Sequence, residues 1–153
     1  MKPKNKFLIL ILIALIINII WEFSHYQLYI DLSGIPSTRH LIQASFFDML
    51  LLIGIFLFIS LKNKTISWIN KPKKSDYIII IITGFIIAIF IETINLNFGR
   101  WAYKEIMPTI FGIGLSPLLQ LALTGILSLF IVNILLSVSN NSFNRKLFID
   151  AIS

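Results

Sequence analysis

Four apolar stretches of about twenty residues constrain this chain most, because that length lets a helix cross the roughly 30 Å hydrocarbon core of a bilayer. They run Phe7–Ile30, His40–Leu61, Tyr77–Leu96 and Pro117–Val138, separated by polar or Gly/Pro-bearing connections. Hydrophobic residues make up 57% of the 153 positions and charged residues 13%, with a mean hydropathy of +0.88. The expected fold is all-α: a polytopic membrane four-helix bundle forming a single transmembrane domain over residues 1–153. The basic start followed by an apolar run is also how a signal peptide begins. Here the run is too long and lacks a cleavage pair of small residues, so a retained first helix is expected. Cysteine is absent, which excludes disulfides, thiolate metal sites and cysteine nucleophiles.

Charge placement sets the expected orientation. Lys2, Lys4 and Lys6 precede the first stretch, Lys62, Lys64, Lys71, Lys73 and Lys74 fill the second connection, and Arg145 and Lys146 follow the fourth. Only Arg39, Arg100 and Lys104 lie on the opposite side. The positive-inside rule therefore puts the N-terminus, the C-terminus and the Lys-rich connection in the cytoplasm of a prokaryotic cell, with the chain multi-pass in its inner membrane. The net charge of +6 is thereby an orientation signal and not a nucleic-acid surface. Phe143, Leu147 and Phe148 recur at helical spacing beside Arg145 and Lys146, which suggests an interfacial helix over 142–151.

Three carboxylates interrupt the apolar stretches: Glu22, Asp48 and Glu92. A charge at the centre of a membrane helix costs at least ~2.5 kcal/mol, so such residues face a polar interior and mark a site. Glu22 lies fifteen residues after Phe7, Asp48 thirteen before Leu61 and Glu92 fifteen after Tyr77. At the rise of an α-helix these separations place all three roughly 20–22 Å from the cytoplasmic edge. Thr124 falls at the same level on the fourth helix, with Gln120 one turn nearer the outside. Each helix thus offers a polar group to one layer in the outer half of the bundle.

Residues three or four apart share a helix face, and the faces reinforce the layer. Asn18, Glu22, His25, Tyr26 and Tyr29 form one stripe; Glu92 and Asn95 are neighbours; Ser116, Gln120, Thr124 and Ser128 make a polar row. Ser45 sits beside Asp48, with Arg39, His40 and Gln43 at the entrance to that helix. Hydroxyl and amide rows also join membrane helices by hydrogen bonding. The connection Asn97–Ser116 carries Trp101 and Tyr103, suited to a lipid–water interface. Gly112 and Gly114 permit bends and Pro108 and Pro117 fit helix starts, so a partly embedded cap over the outer end is expected.

Glu22, His25, Asp48 and Glu92 are the candidate catalytic residues. Glu22 and His25 stand at i and i+3, close enough to share a proton, and three acids in one pocket would leave one of them protonated and able to donate. Trp21, Tyr29, Asn95, Arg100, Trp101, Tyr103, Gln120 and Thr124 are candidates for substrate binding. The alternative is a structural clamp in which each acid pairs with Arg39, Arg100 or His25. No cofactor and no metal is expected: His25 and His40 are on different helices, His40 near the surface, and no HExxH spacing occurs. No serine lies in a GxSxG turn, and neither a phosphate loop nor a nucleic-acid surface is present. The expected partners are the lipid bilayer and a lipid or isoprenoid ligand.

The strings Trp21-Glu22 with His25, Leu28 and Tyr29, then Asp48, Arg100-Trp101-Ala102-Tyr103, Met107-Pro108 and Gly112-Ile113-Gly114-Leu115-Ser116-Pro117-Leu118-Leu119-Gln120 resemble an uncharacterised family of small four-helix bacterial integral membrane proteins. The resemblance spans nearly the whole chain and is most specific over Trp101–Gln120. It implies one polytopic domain in a prokaryotic inner membrane and supplies no reaction. Glu92, Gly99, Trp101 and Tyr103 are also similar to the first element of lycopene-cyclase-type membrane domains. The second element departs, since Pro117-Leu118-Leu119-Gln120 lacks its glutamate. That likeness implies acid catalysis on an isoprenoid, with Glu22, Asp48 or Glu92 protonating an alkene while Trp21, Trp101 and Tyr103 stabilise a carbocation.

Three functions fit these residues: a membrane enzyme acting on a lipid or isoprenoid by acid catalysis, an ion or proton transport component, and a structural or assembly protein. Transport through four short spans without an internal repeat would need a homo-oligomer. The topology is directly testable. A reporter fused at Ser153 is expected to be active in the cytoplasm, and activity outside the cell would overturn the assignment.

Overall fold

The computed structural model describes residues 3–32 and 34–150, with side chains described through residue 135. Four long helices alternate in direction: α1 (Pro3–His25), α2 (Ser37–Lys62), α3 (Lys74–Asn97) and α4 (Leu115–Asp150). All four are long and apolar enough to cross a membrane. The expected surface helix over 142–151 falls on residues whose side chains, and at its end whose backbone, lie outside the described part. Packing follows the order α2–α1–α4–α3, with α2 and α3 meeting more sparsely.

Each connection stops its helices by identifiable chemistry. Pro36 precedes α2 and accepts from the His40 amide at 3.0 Å, which suits a residue that begins a helix but cannot continue one. Past Lys62 the chain turns through Lys64 at φ 54° into a 3-10 turn at Ile66–Asn70. This turn tucks Trp68 and Ile69 under the bundle, and the Trp68 indole donates to Ser60 Oγ at 2.8 Å. Asp76, fully buried at the start of α3, accepts from Lys62 Nζ at 3.0 Å, Asn63 Nδ2 at 3.0 Å and the Lys73 amide at 2.8 Å. A carboxylate with three donors at a helix N-terminus is well placed against the helix dipole, and it fastens the end of α2 to the start of α3.

The buried stripes explain how the helices associate. On α1 the stripe is Leu10, Ala14, Asn18, Glu22 and His25; on α3 it is Asp76, Ile80, Gly84, Ala88, Glu92 and Asn95. Both pass from apolar to polar toward the end away from the lysines. The apolar half is sealed by Leu10, Phe56, Ile80, Leu129 and Val132 with Trp68. Small residues let α3 and α4 approach closely: a Cβ on Gly84 would lie 2.9 Å from the Ala122 amide nitrogen, the small-residue contact common between membrane helices. The opposite faces expose apolar side chains every three or four residues, such as Leu8, Leu12, Ile16 and Ile20 on α1 and Ile78, Ile82 and Ile86 on α3.

The cap differs from the all-helical expectation. The first helix ends at His25, not near Ile30, and a 3-10 turn at Tyr26–Leu28 leads into strand β1 (Tyr29–Asp31). Strand β2 (Trp101–Tyr103) pairs with it antiparallel, Tyr29 opposite Tyr103 and Asp31 opposite Trp101. A second ribbon, β3 (Thr109–Ile110) with β4 (Ile113–Gly114), turns through Phe111 at φ 51° and Gly112 at φ 81°, the doubly positive geometry of a two-residue hairpin. Backbone groups beyond a helix end must find partners in this setting, and the ribbons supply them.

Gly84→Ala is expected to lower the thermal stability of the detergent-solubilised protein by about 1–3 kcal/mol, because the backbone of α4 must retreat. Gly54 has nothing within 4 Å, so Gly54→Ala should leave stability unchanged or raise it by up to ~1 kcal/mol through helix propensity. Equal effects at both positions would contradict the close α3–α4 contact.

Candidate functional site

Side chains alternate across a strand, and the register of β1 with β2 puts Tyr29, Asp31, Trp101 and Tyr103 on one face, toward the bundle. Ile30, on the other face, is exposed. The aromatic rings pack edge to face, Tyr29 against Tyr103 at 5.5 Å and against Trp101 at 6.3 Å between centroids. The ribbon thereby lowers two donors onto Glu92. Trp101 Nε1 donates to Glu92 Oε2 at 3.2 Å, and the Tyr103 hydroxyl donates to the same oxygen. Burial pushes the Tyr103 phenol above its ordinary pKa and the bond to Glu92 pushes it the same way, so Tyr103 remains a proton donor. Gly114 makes room for its ring, since a Cβ there would lie 3.1 Å from it.

The other two acids meet on α4. Gln120 Nε2 donates to Glu22 Oε1 and to Asp48 Oδ2, each at 2.6 Å, so one amide bridges the two carboxyl groups. His25 Nε2 lies 3.3 Å from Glu22 Oε2, and His25 Nδ1 lies 2.8 Å from Ser116 Oγ. If Nε2 carries the hydrogen toward the carboxylate, Nδ1 accepts from Ser116. Ser116, read from the sequence as part of a polar row but not as a site residue, joins the site through this contact between α1 and α4.

These groups border a cavity of about 550 Å³ between α2 and α3, within the range of small-molecule sites. Glu22, His25, Asp48, Glu92 and Gln120 form its depth, while Leu41, Ala44, Phe47, Leu51 and Ile91 give it apolar walls. Tyr29, Asp31 and Trp101 reach it from the ribbon, and Asn95 and Arg100 from the end of α3. His40 also reaches it: expected near the surface, it is half-buried, with Nδ1 2.8 Å from Asp31 Oδ2 and its ring beside Trp101. The Asp31–His40 pair escaped the sequence reading because it closes across the bend before α2.

Of the twelve candidate residues, nine line the cavity: Glu22, His25, Asp48, Glu92, Tyr29, Asn95, Arg100, Trp101 and Gln120. Tyr103 acts on it through Glu92. Trp21 and Thr124 stand apart; each has a buried polar atom without a partner, and Trp21 meets only the edge of His25. Trp101 and Tyr103, expected to keep their polar tips in interfacial water, give them to Glu92 instead. The hydroxyl and amide rows also behave differently from expectation. Ser45, Asn95 and Ser128 donate to carbonyls four residues back on their own helices, the local bond that short polar side chains reach most easily. Bonds between helices fall to Gln120 and Ser116. Nor do the acids form the arginine clamps: Arg100 donates to Asn95 Oδ1 at 3.1 Å. Among the described residues neither Asp48 nor Glu92 forms an ion pair with a basic side chain.

Replacing Gln120 by Leu removes the donor shared by two buried carboxyl groups, and a loss of about 1–3 kcal/mol in stability is expected. Thr124→Val removes an unpartnered hydroxyl and should leave the melting temperature the same or higher. A Gln120→Leu protein as stable as the parent would contradict the bridging role. Comparison of the chain with protein-family models, with curated proteins and with solved structures finds no match.

Proposed function

We propose that this chain is a multi-pass protein of a prokaryotic inner membrane, with both termini and the Lys-rich connection cytoplasmic, and that its cavity is the active site of an enzyme. In this reading the enzyme transfers a proton to or from a lipid or isoprenoid substrate. The supporting observation is the Glu22–Asp48 pair held by one amide at the base of a largely apolar cavity. Two carboxyl groups brought to one amide repel when both are charged, which favours one of them as the neutral acid, and a carboxyl group that can donate beside one that can accept is the equipment of general acid–base chemistry. The exposed apolar faces of α1 and α3 suit hydrocarbon and would be a liability in water.

A transport role is less well supported, because the polar layer ends at a dry core. Leu10, Phe56, Ile80 and Leu129 are fully buried between the acids and the lysine-bearing end, so the acids do not continue as a relay to that side. The structural reading needs each acid to be neutralised by a basic partner, and only Glu22 has His25 beside it.

Deleting the gene is expected to change the lipid or pigment profile of the host, with one species accumulating. Wild-type protein should restore the profile, whereas Glu22→Gln and Asp48→Asn, inserted at normal levels, should not. An unchanged extract on deletion, or full rescue by both amide variants, would sink the enzyme reading.

A further inference from the structure

The position and the polar inventory of the cavity together restrict its occupant. Near the lysine-bearing end α2 and α3 are fastened by Asp76 with Lys62 and Asn63. Toward the cap the cavity separates them, from Leu41 to Leu51 on α2 and from Ile91 to Asn95 on α3. Phe47, 63% exposed, and Leu50, 43% exposed, stand at the edge of that gap, so its sideways border is hydrocarbon. The ribbon residues Tyr29 and Trp101 cover the cap side. A ligand arriving through the gap would place an apolar tail against Phe47 and Leu50 and its head among the acids.

The head must then suit what it meets. Asp31, Glu22, Asp48 and Glu92 border the cavity against one guanidinium, Arg100, which donates to Asn95, and two imidazoles, His25 and His40, which already face Glu22 and Asp31. Gln120 Nε2, the amide donor nearest the acids, is committed to Glu22 and Asp48. Carboxyl groups therefore outnumber basic groups, and the further donors of the lining, Tyr26, Tyr29 and Gln43, are neutral. A phosphate or carboxylate head would bring more acceptors and more negative charge into a poorly screened space. A hydroxyl or protonated amine would instead donate to the carboxyl groups without adding negative charge, and the ring faces of Tyr29 and Trp101 favour a cation beside them.

We propose that the cavity takes an amphiphile from the bilayer sideways through the gap between α2 and α3, and that its headgroup is a hydroxyl or an amine and carries no phosphate or carboxylate. This rests on the membrane-enzyme reading for its setting and names the substrate class of that site. It does not depend on which bond the enzyme makes or breaks.

The test uses the full chain in phosphatidylcholine vesicles with three photoreactive probes: hexadecanol, hexadecylamine and hexadecyl phosphate, each with a diazirine near the head. After irradiation, modified peptides are mapped by mass spectrometry. The alcohol, the amine or both should label Phe47, Leu50 or Ile91 several-fold more than the phosphate does, while all three label the outer-face residues Leu12 and Ile86 alike. Equal labelling of the gap by the phosphate, or no enrichment of the gap over Leu12 and Ile86, overturns the proposal. The paired substitution Asp48→Asn with Glu92→Gln should abolish the head preference. Ala44→Trp, which narrows the gap and keeps all four acids, should suppress labelling of Ile91 by every probe, and persistence of that labelling counts against sideways entry. Absence of labelling at Leu12 and Ile86 by any probe would remove the membrane setting itself. An unchanged lipid profile on gene deletion would remove only the catalytic reading and leave the binding result standing.

Discussion

One amide nitrogen joins three helices of this bundle. Gln120 on α4 donates to Glu22 on α1 and to Asp48 on α2, and the remaining acid, Glu92 on α3, is met by Trp101 and Tyr103 from the ribbon. Without such donors each carboxyl group would be a buried polar group facing hydrocarbon, a far larger penalty than one hydrogen bond returns in water. The order α2–α1–α4–α3 sets α4 beside α1, and the Gln120 side chain reaches beyond α1 to Asp48 on α2. His25 adds a second tie between α1 and α4 through Ser116.

The ribbon depends on this arrangement and completes it. A three-residue strand pair has little stability alone, yet here every inward position carries a group that bonds or packs below: Tyr29 on Tyr103 and Trp101, Tyr103 and Trp101 on Glu92, Asp31 on His40. The pairing continues beyond the strands, with Leu32 donating to the Arg100 carbonyl at 3.1 Å and Lys104 to the Leu28 carbonyl at 3.0 Å. The segments after α1 and after α3 are thereby locked together across the cap, on the side where α2 and α3 stand apart.

Helix count and the polar layer were legible in the sequence because both depend on lengths along single helices. Counting rise per residue puts Glu22, Asp48 and Glu92 at one depth with Gln120 one turn nearer the outside, and it is Gln120 whose amide bridges Glu22 and Asp48. The ribbon was not legible. Tyr29-Ile30-Asp31 prolongs an apolar run, and three alternating residues are too few to separate period two from the end of a helix. The pairs His25–Ser116 and Asp31–His40 depend on how elements meet, which no spacing encodes. The polar rows were overread for a different reason: a serine four residues beyond a carbonyl can satisfy itself, as Ser45 and Ser128 do, so a row on a helix face need not reach a neighbour.

The asymmetry of the bundle also bears on how a site can work in so small a protein. At the lysine-bearing end the interior is filled by Leu10, Phe56, Ile80 and Leu129, and Asp76 is satisfied by three donors with no space beside it. At the cap end the acids are held by protein donors while also bordering open volume. In the enzyme reading, a carboxyl group held by protein donors on one side and open to the cavity on the other is placed to exchange a proton with a ligand there. In the same reading the apolar packing of Leu10, Phe56, Ile80 and Leu129 confines that proton to the cavity end, so the closed half of the bundle contributes to the chemistry of the open half.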